Sequence, residues 1–219
     1  YKNQFYESRL SYYARSNGLD YTIGQPSTIP TSLEDALGRP VAPHDLAQCI
    51  GCHSSGAVTG AKIDFAKLIP GISCESCHGP GSVHVDLAKS KSLFWDRHWG
   101  YGLANLKANV DSQIESCAKC HSHRRVVCGG HQARHRFNDH YEQQLISTGL
   151  YHVDGQILEE VYELGSYHQS RMYREGVKCT NCHDPHSTRV KFEGNKLCLQ
   201  CHTLSKGNYD SPAHHHHKP

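Results

Sequence analysis

This chain is short of the residues that usually build a protein interior. Leu, Ile, Val and Phe together number 42 of its 219 residues, about 19%, and it has one methionine and two tryptophans. That share lies just under the ~20% floor below which chains of high net charge stay disordered. Here 23 Lys and Arg stand against 21 Asp and Glu, a formal net charge of +2, so charge repulsion gives no reason for disorder. The same balance, without a long run of either sign, excludes the electrostatic footprint of a nucleic-acid binder. No stretch approaches the ~18–20 apolar residues of a membrane span. A chain so poor in aliphatics must find its core elsewhere.

What it has in quantity is cysteine, 11 residues, and histidine, 19. Ten of the cysteines fall in five copies of Cys-x-x-Cys-His: Cys49, Cys52 and His53; Cys74, Cys77 and His78; Cys117, Cys120 and His121; Cys179, Cys182 and His183; Cys198, Cys201 and His202. This is the attachment signature of c-type haem. Two intervening residues bring both thiols to one edge of the porphyrin, and the next residue, histidine, turns under the ring as proximal iron ligand. Structural zinc is the rival reading of paired cysteines. It leaves the trailing histidines unexplained and one pair of the five without a partner. Five haem c groups are therefore expected, about one per 44 residues, with His53, His78, His121, His183 and His202 as proximal ligands. Their flat apolar faces take the place of an aliphatic interior, so folding should depend on them.

The expected fold class is mostly irregular with short α-helices, little β structure and a core of packed haems. Residues 1–43 hold no attachment site and four prolines, and read as an extended N-terminal arm. Residues 44–219 read as a pentahaem domain forming a single folding unit with the arm. Ser32 to Gly38 has the signals of a short capped helix. Further helices are expected over 44–53, 82–90, 111–124, 139–148, 157–175 with a break near Gly165, and 195–202. Asp111 and Asn138 suit N-caps, and Gly149 and Gly176 suit helix stops. The best strand candidate is Val190-Lys191-Phe192.

A second histidine on an iron gives a six-coordinate centre suited to electron transfer; an open position admits substrate. Fourteen histidines remain after the proximal five. His186 follows His183-Asp184-Pro185, where the proline stiffens the turn. His84 follows the Gly79-Pro80-Gly81 reversal. His140 and His152 stand near helix or turn edges, His44 lies just before the first attachment site, and His216 is the chosen member of the run His214 to His217, read as native sequence. These six are the distal candidates. His98, His123, His131, His135 and His168 default to ordinary surface or core roles, and Met172 to packing. The odd cysteine, Cys128, is expected as a buried small hydrophobe, with an intermolecular bridge or iron ligation as alternatives.

Cys74 to His84 resembles the haem segment of the cytochrome c-554-like multihaem family, which includes the tetrahaem acceptor of electrons from hydroxylamine oxidation. Cys179 to His202 resembles the doubled Cys-x-x-Cys-His module of bacterial multihaem cytochromes. Gly149 to Ile157, with Gly165-Ser166 and Met172-Tyr173, is similar to the haem head of large exported cytochromes with tetratricopeptide repeats. The resemblance implies His84 and His186 as distal ligands, with His140, His152 and one of the terminal cluster. In those relatives a further haem segment and the repeats follow the histidine run, so the chain reads as a processed head domain or a shorter branch.

The function expected is electron transfer through five haems in a periplasmic or extracellular protein, since haem c is attached on the exported side of the membrane. The polar opening at Tyr1 reads as the start of a chain whose secretion signal has been removed. Redox proteins are the expected partners, and the two termini suit subunit contacts in a homopolymeric filament. The alternative is a multihaem oxidoreductase acting on a small nitrogen or sulfur oxyanion. For that reading Arg124, Arg125, Arg134 and Arg136 with His131 and His135 would line an anion pocket around Cys128, although a solvated basic face accounts for them too. All five motifs end in histidine, whereas pentahaem nitrite reductases mark their open haem with lysine. That favours a carrier.

Overall fold

The computed structural model describes residues 1–59, 62–91, 100–158, 162–202 and 211. The chain divides into two compact units, Tyr1–Ser76 and Cys77–Pro219. Among the described residues it consists of short helices and six two-stranded antiparallel ladders, with no closed sheet. No helix there is long and apolar enough to cross a membrane. Short strands are commoner than the sequence suggested.

In the first unit β1 (Phe5–Ser8) pairs with β4 (Gly38–Val41), and β2 (Leu10–Tyr13) with β3 (Gly18–Tyr21). Residues 1–43, expected as an extended arm, are therefore laddered. The β1–β4 pairing spans more than thirty residues, so no local period announced it. Helix α1 (Leu33–Leu37) matches the expected capped turn: the Ser32 hydroxyl accepts from the Asp35 N–H at 3.1 Å. It stops at Gly38, whose φ is 114° and where a Cβ would stand 2.1 Å from the Glu7 carbonyl oxygen. Only glycine fits there, because the helix ends against a neighbouring strand in a conformation that L side chains rarely adopt. Arg9, buried, ties this region together through Asp35 Oδ1 at 2.8 Å, the Asp35 carbonyl at 3.1 Å and the Thr28 carbonyl.

Helix α2 (Pro43–His53) opens with Pro43, where the missing N–H costs nothing. Two short ladders follow, β5 (Ser54–Ser55) with β8 (Ile69–Pro70) and β6 (Val58–Thr59) with β7 (Lys62–Ile63). The five-residue helix α3 (Cys74–His78) comes next.

The second unit has a protein core. Ile114 and Ala118 of α5 (Val110–Ala118), Phe137 of α6 (Phe137–His140), Tyr141 and Leu164 are buried together, with Tyr167, Tyr173 and Cys179 packed against them. Helix α4 (Ser82–Ser90) forms as expected. Helix α5 stops short of residue 124, and its N-cap is Asn109 rather than Asp111: Asn109 Oδ1 accepts the Ser112 N–H at 2.7 Å. The helix expected over 139–148 ends at His140, with Asn138 inside it. Tyr141 instead enters β10 (Tyr141–Gln143), paired with β9 (Arg124–Val126). Burial of Tyr141 and the Arg125–Glu142 ion pair across that ladder outweigh the local helix signal.

Helices α7 (Leu164–Gln169) and α8 (Arg171–Arg174) break at Ser170, whose hydroxyl caps α8, while Gly165 is buried within α7. Gly176 ends α8 as expected; Gly149 sits in a turn that follows no helix. Helix α9 (Cys179–Cys182) leads into the hairpin of β11 (His183–Asp184) and β12 (Arg189–Val190), and α10 (Lys196–Leu199) follows.

Candidate haem centres

The attachment segments sit in single helical turns, so each motif histidine emerges where a helix ends or turns. Cys49 and Cys52 lie in the last turns of α2, which closes on His53. Cys74, Cys77 and His78 make up α3 with their two spacers. Cys117 lies in the last turn of α5 with Cys120 and His121 just beyond, and both the Cys120 and His121 N–H groups reach the Cys117 carbonyl. Cys179 and Cys182 are the ends of α9, with His183 opening β11. Cys198 lies in α10, and the N–H groups of Cys201 and His202 return to its carbonyl. None of the eleven cysteines is in a disulfide.

Polar bonds that the sequence did not single out hold these segments to one another. Ser55, buried directly after β5 begins, donates to the Gly71 carbonyl at 3.1 Å, lies 2.7 Å from the Ser76 hydroxyl and accepts the Ser73 N–H at 2.9 Å. It ties the segment ending at His53 to the spacer between Cys74 and Cys77. In the second unit Gln113 Oε1 accepts from both the N–H and the hydroxyl of Thr180, at 3.1 and 2.8 Å, fixing α9 to α5. Cys117 and Cys179 meet at this junction. Their hydrogen bond, then burial, push the Cys117 thiol up, while the same bond draws Cys179 down to about 7. The available signal was a serine after the motif histidine, as in His53-Ser54-Ser55 and His121-Ser122.

Several histidines are set with one nitrogen fixed. His78 Nδ1 lies 3.4 Å from the Ala104 carbonyl, and His84 Nδ1 2.9 Å from the Tyr101 carbonyl. A carbonyl only accepts, so Nδ1 carries the proton in each and the Nε2 lone pair is left for a metal. His84 is further held by the edge of the Tyr101 ring, 5.6 Å between centres. His78 and His186 have ring centres 6.4 Å apart and planes within 7°. His140 Nδ1 is 3.1 Å from the Cys128 carbonyl, and its Nε2 is 3.0 Å from His135 Nδ1. His44 is exposed beside Asp45, and the His152 side chain is exposed in a turn. His216 and His98 lie outside the described residues.

His131 is more enclosed than the sequence suggested. Both ring nitrogens are buried without a hydrogen-bond partner, and burial holds its pKa down to about 4. It packs against His135, His140 and Tyr141. A neutral imidazole with unpartnered nitrogens, paired thiols free of disulfides and rings whose Nδ1 is turned to a carbonyl form a donor set that suits haem c. No cluster of three or more His, Cys, Asp or Glu suited to a bare metal ion occurs among the described residues.

One expectation is corrected. Cys128 is exposed rather than buried: the turn after β9 leaves its side chain outside, with the sulfur 3.6 Å from the Gly129 carbonyl. Of the four arginines weighed either as an anion pocket around it or as a solvated basic face, three have separate partners. Arg125 pairs with Glu142, Arg134 donates to the Leu103 carbonyl at 2.7 Å, and Arg124 lies over the Tyr141 ring.

Two family models match the chain. One, for cytochrome c554 and c-prime, covers residues 30–79; the other, for a doubled CXXCH motif, covers residues 172–207. The first contains the segments ending at His53 and His78, and the second those ending at His183 and His202; the segment ending at His121 lies in neither. No curated protein and no solved structure matches the chain. Taken with the attachment motifs, these matches support the multihaem c-type cytochromes as the family of this chain, with covalently bound haem c and a role in electron transfer.

Proposed function

We propose that the chain carries five covalently attached haem c groups, mostly with two histidines on each iron, and conducts electrons between redox proteins on the exported side of the membrane, in the periplasm or outside the cell. The observation that carries this reading is the recurrence of Cys-x-x-Cys-His in five helical turns, with polar ties joining neighbouring segments. Bound haem supplies one-electron uptake and release. The chain's part is to hold each porphyrin by two thioethers, aim a histidine Nε2 at the iron and keep neighbouring edges close. His84, His186, His140, His152, His44 and His216 remain the distal set, and the locked tautomer of His84 is the best support for any one of them.

Intact-mass measurement tests the stoichiometry: five haems are expected, and fewer, or zinc, would refute it. Electron paramagnetic resonance of the oxidised protein should show low-spin irons. The proposed folding unit, residues 1–219 together, should melt in one cooperative transition. Assembly into a filament through the terminal segments belongs to the same reading, and electron microscopy showing only dispersed monomers at high concentration would remove it.

A second reading, catalysis on a small nitrogen or sulfur oxyanion, draws on a cavity of about 110 Å³ lined by Ser112, Glu115, His131, Arg134 and His135. A high-spin iron whose signal shifts on adding nitrite or hydroxylamine would favour it.

A further inference from the structure

His78 and His186 lie far apart in the sequence, and the structure presents their rings to each other. His78 closes α3. His186 stands in the loop at the tip of the β11–β12 hairpin, which the Lys191 N–H to Cys182 carbonyl bond at 2.8 Å extends by a further rung. The ring centres are 6.4 Å apart, with planes within 7°. Two imidazoles bound to opposite faces of one metal have a fixed separation. A metal–nitrogen bond of about 2.0–2.1 Å and about 1.15 Å from nitrogen to ring centre, counted twice, give about 6.3–6.5 Å. The observed distance falls in that window.

The same unit contains a contrasting pair. His135 and His140 are also parallel, within 8°, yet their centres are 5.0 Å apart and two of their nitrogens only 3.0 Å apart. Nitrogens on opposite faces of a metal stand about 4.1 Å from each other, so that pair is in direct contact and leaves no room for an ion between its rings. The His78 and His186 centres, at 6.4 Å against 5.0 Å, are 1.4 Å farther apart than those of that pair, and no direct contact joins their ring nitrogens.

The His78 ring is also held from behind, and the His186 backbone is anchored beside it. The His78 Nδ1–H faces the Ala104 carbonyl, and the Ala104 N–H returns to the His78 carbonyl at 2.8 Å, so Nε2 is the nitrogen left to bind. At His186 the Asp184 carboxylate accepts the backbone N–H at 3.2 Å and lies 3.9 Å from Nδ1. Carbonyl support on one nitrogen, as at His78, is how metal-binding histidines are oriented through the other.

We propose that His78 and His186 are the two axial ligands of a single iron, that of the haem attached at Cys74 and Cys77. The proposal rests on the five-haem reading above. Because His186 is three residues beyond His183, the haem of the fourth segment becomes the immediate neighbour of the second. Gln113 and Thr180 already join the third segment to the fourth. The fourth segment is then a junction, and electrons pass from the second site to the fourth without visiting the sites in sequence order.

The test uses the haem-loaded chain and counts spin states. His186→Gly, with all five haems still present by intact mass, should convert one low-spin iron to high spin, and added imidazole should restore it. In the Cys74→Ser/Cys77→Ser variant, which lacks the second haem, adding His186→Gly should produce no high-spin iron. A new high-spin signal in that background assigns His186 to a different iron and overturns the pairing while the haem reading stands. An unchanged spectrum for His186→Gly in the full chain overturns it too. If the cysteine variant does not fold, the double variant His78→Gly/His186→Gly decides: one perturbed iron is expected, and two would overturn the proposal. Absence of haem from the parent protein's mass is the separate failure of the five-haem reading.

Discussion

The two units hold their attachment segments by different means. Among the described residues of Tyr1–Ser76, the buried apolar side chains are two alanines, Ala47 and Ala57; what else is buried there is polar, Arg9, Ser54 and Ser55. Backbone ladders and hydroxyl or guanidinium bonds position this unit, and its large apolar side chains, such as Phe65 and Ile69, are exposed. The second unit buries Ile114, Phe137, Tyr141, Tyr151 and Leu164, and seats Cys179 against that cluster. Directional bonds fix geometry but add only about 0.5–1.5 kcal/mol each, whereas a buried aliphatic or aromatic side chain contributes about 1.5–3 kcal/mol. The first unit should therefore lean on its cofactors more heavily than the second.

The largest effect that checks this contrast is loss of the haems. In chain made without haem attachment, hydrogen exchange across residues 1–76 should approach that of an unfolded chain, while amides of α5 and around Phe137 and Tyr141 keep measurable protection. Equal loss in both units would break the comparison. Next in size is Phe137→Ala, which empties the centre of the second core and should cost about 3–5 kcal/mol. The common denaturant midpoint should fall, and hydrogen exchange should quicken most around α5, Phe137 and Tyr141. Smaller is Asp35→Ala. It leaves the buried Arg9 guanidinium without a charged partner, held only by main-chain carbonyls and the Thr28 hydroxyl, at a cost of about 1.5–3 kcal/mol. Exchange should quicken in β1, α1 and β4 and stay the same in the second unit.

Legibility followed the range of each interaction. The five Cys-x-x-Cys-His motifs are local patterns and stand in plain view in the sequence; α1 with its Ser32 cap and Gly38 stop, α2 and α4 could likewise be read from local signals. The ladders were hidden because strands of two to four residues carry no usable period, and Phe5–Ser8 meets a partner more than thirty residues away. Tyr141 illustrates the conflict: its neighbours favour a helix, yet its burial and cross-strand partner Val126 decide otherwise. Histidine roles split the same way. The motif histidines are marked by their spacing alone; the enclosure of His131 and the approach of His186 to His78 depend on contacts between distant segments, which no spacing rule encodes.

The smallest predicted effect compares equivalent positions in the two units. Ser54 and Ser122 each follow a motif histidine, each is buried, and each hydroxyl donates at 2.7 Å to the carbonyl four residues back, Ile50 in one and Ala118 in the other. Both carbonyls belong to spacer residues between the two cysteines of a motif, so each serine tightens the turn that presents its histidine. One neutral hydrogen bond of this kind contributes about 0.5–1.5 kcal/mol. Ser54→Ala and Ser122→Ala should therefore lower the denaturant midpoint by similar, small amounts, despite the different interiors around them. Ser55→Ala, which removes three bonds and leaves the Ser73 N–H without its acceptor, should cost more than either. If Ser54→Ala proves far more damaging than Ser122→Ala, the serine's value depends on what surrounds the turn, and the first unit's reliance on polar bonds is greater than one back-bond implies.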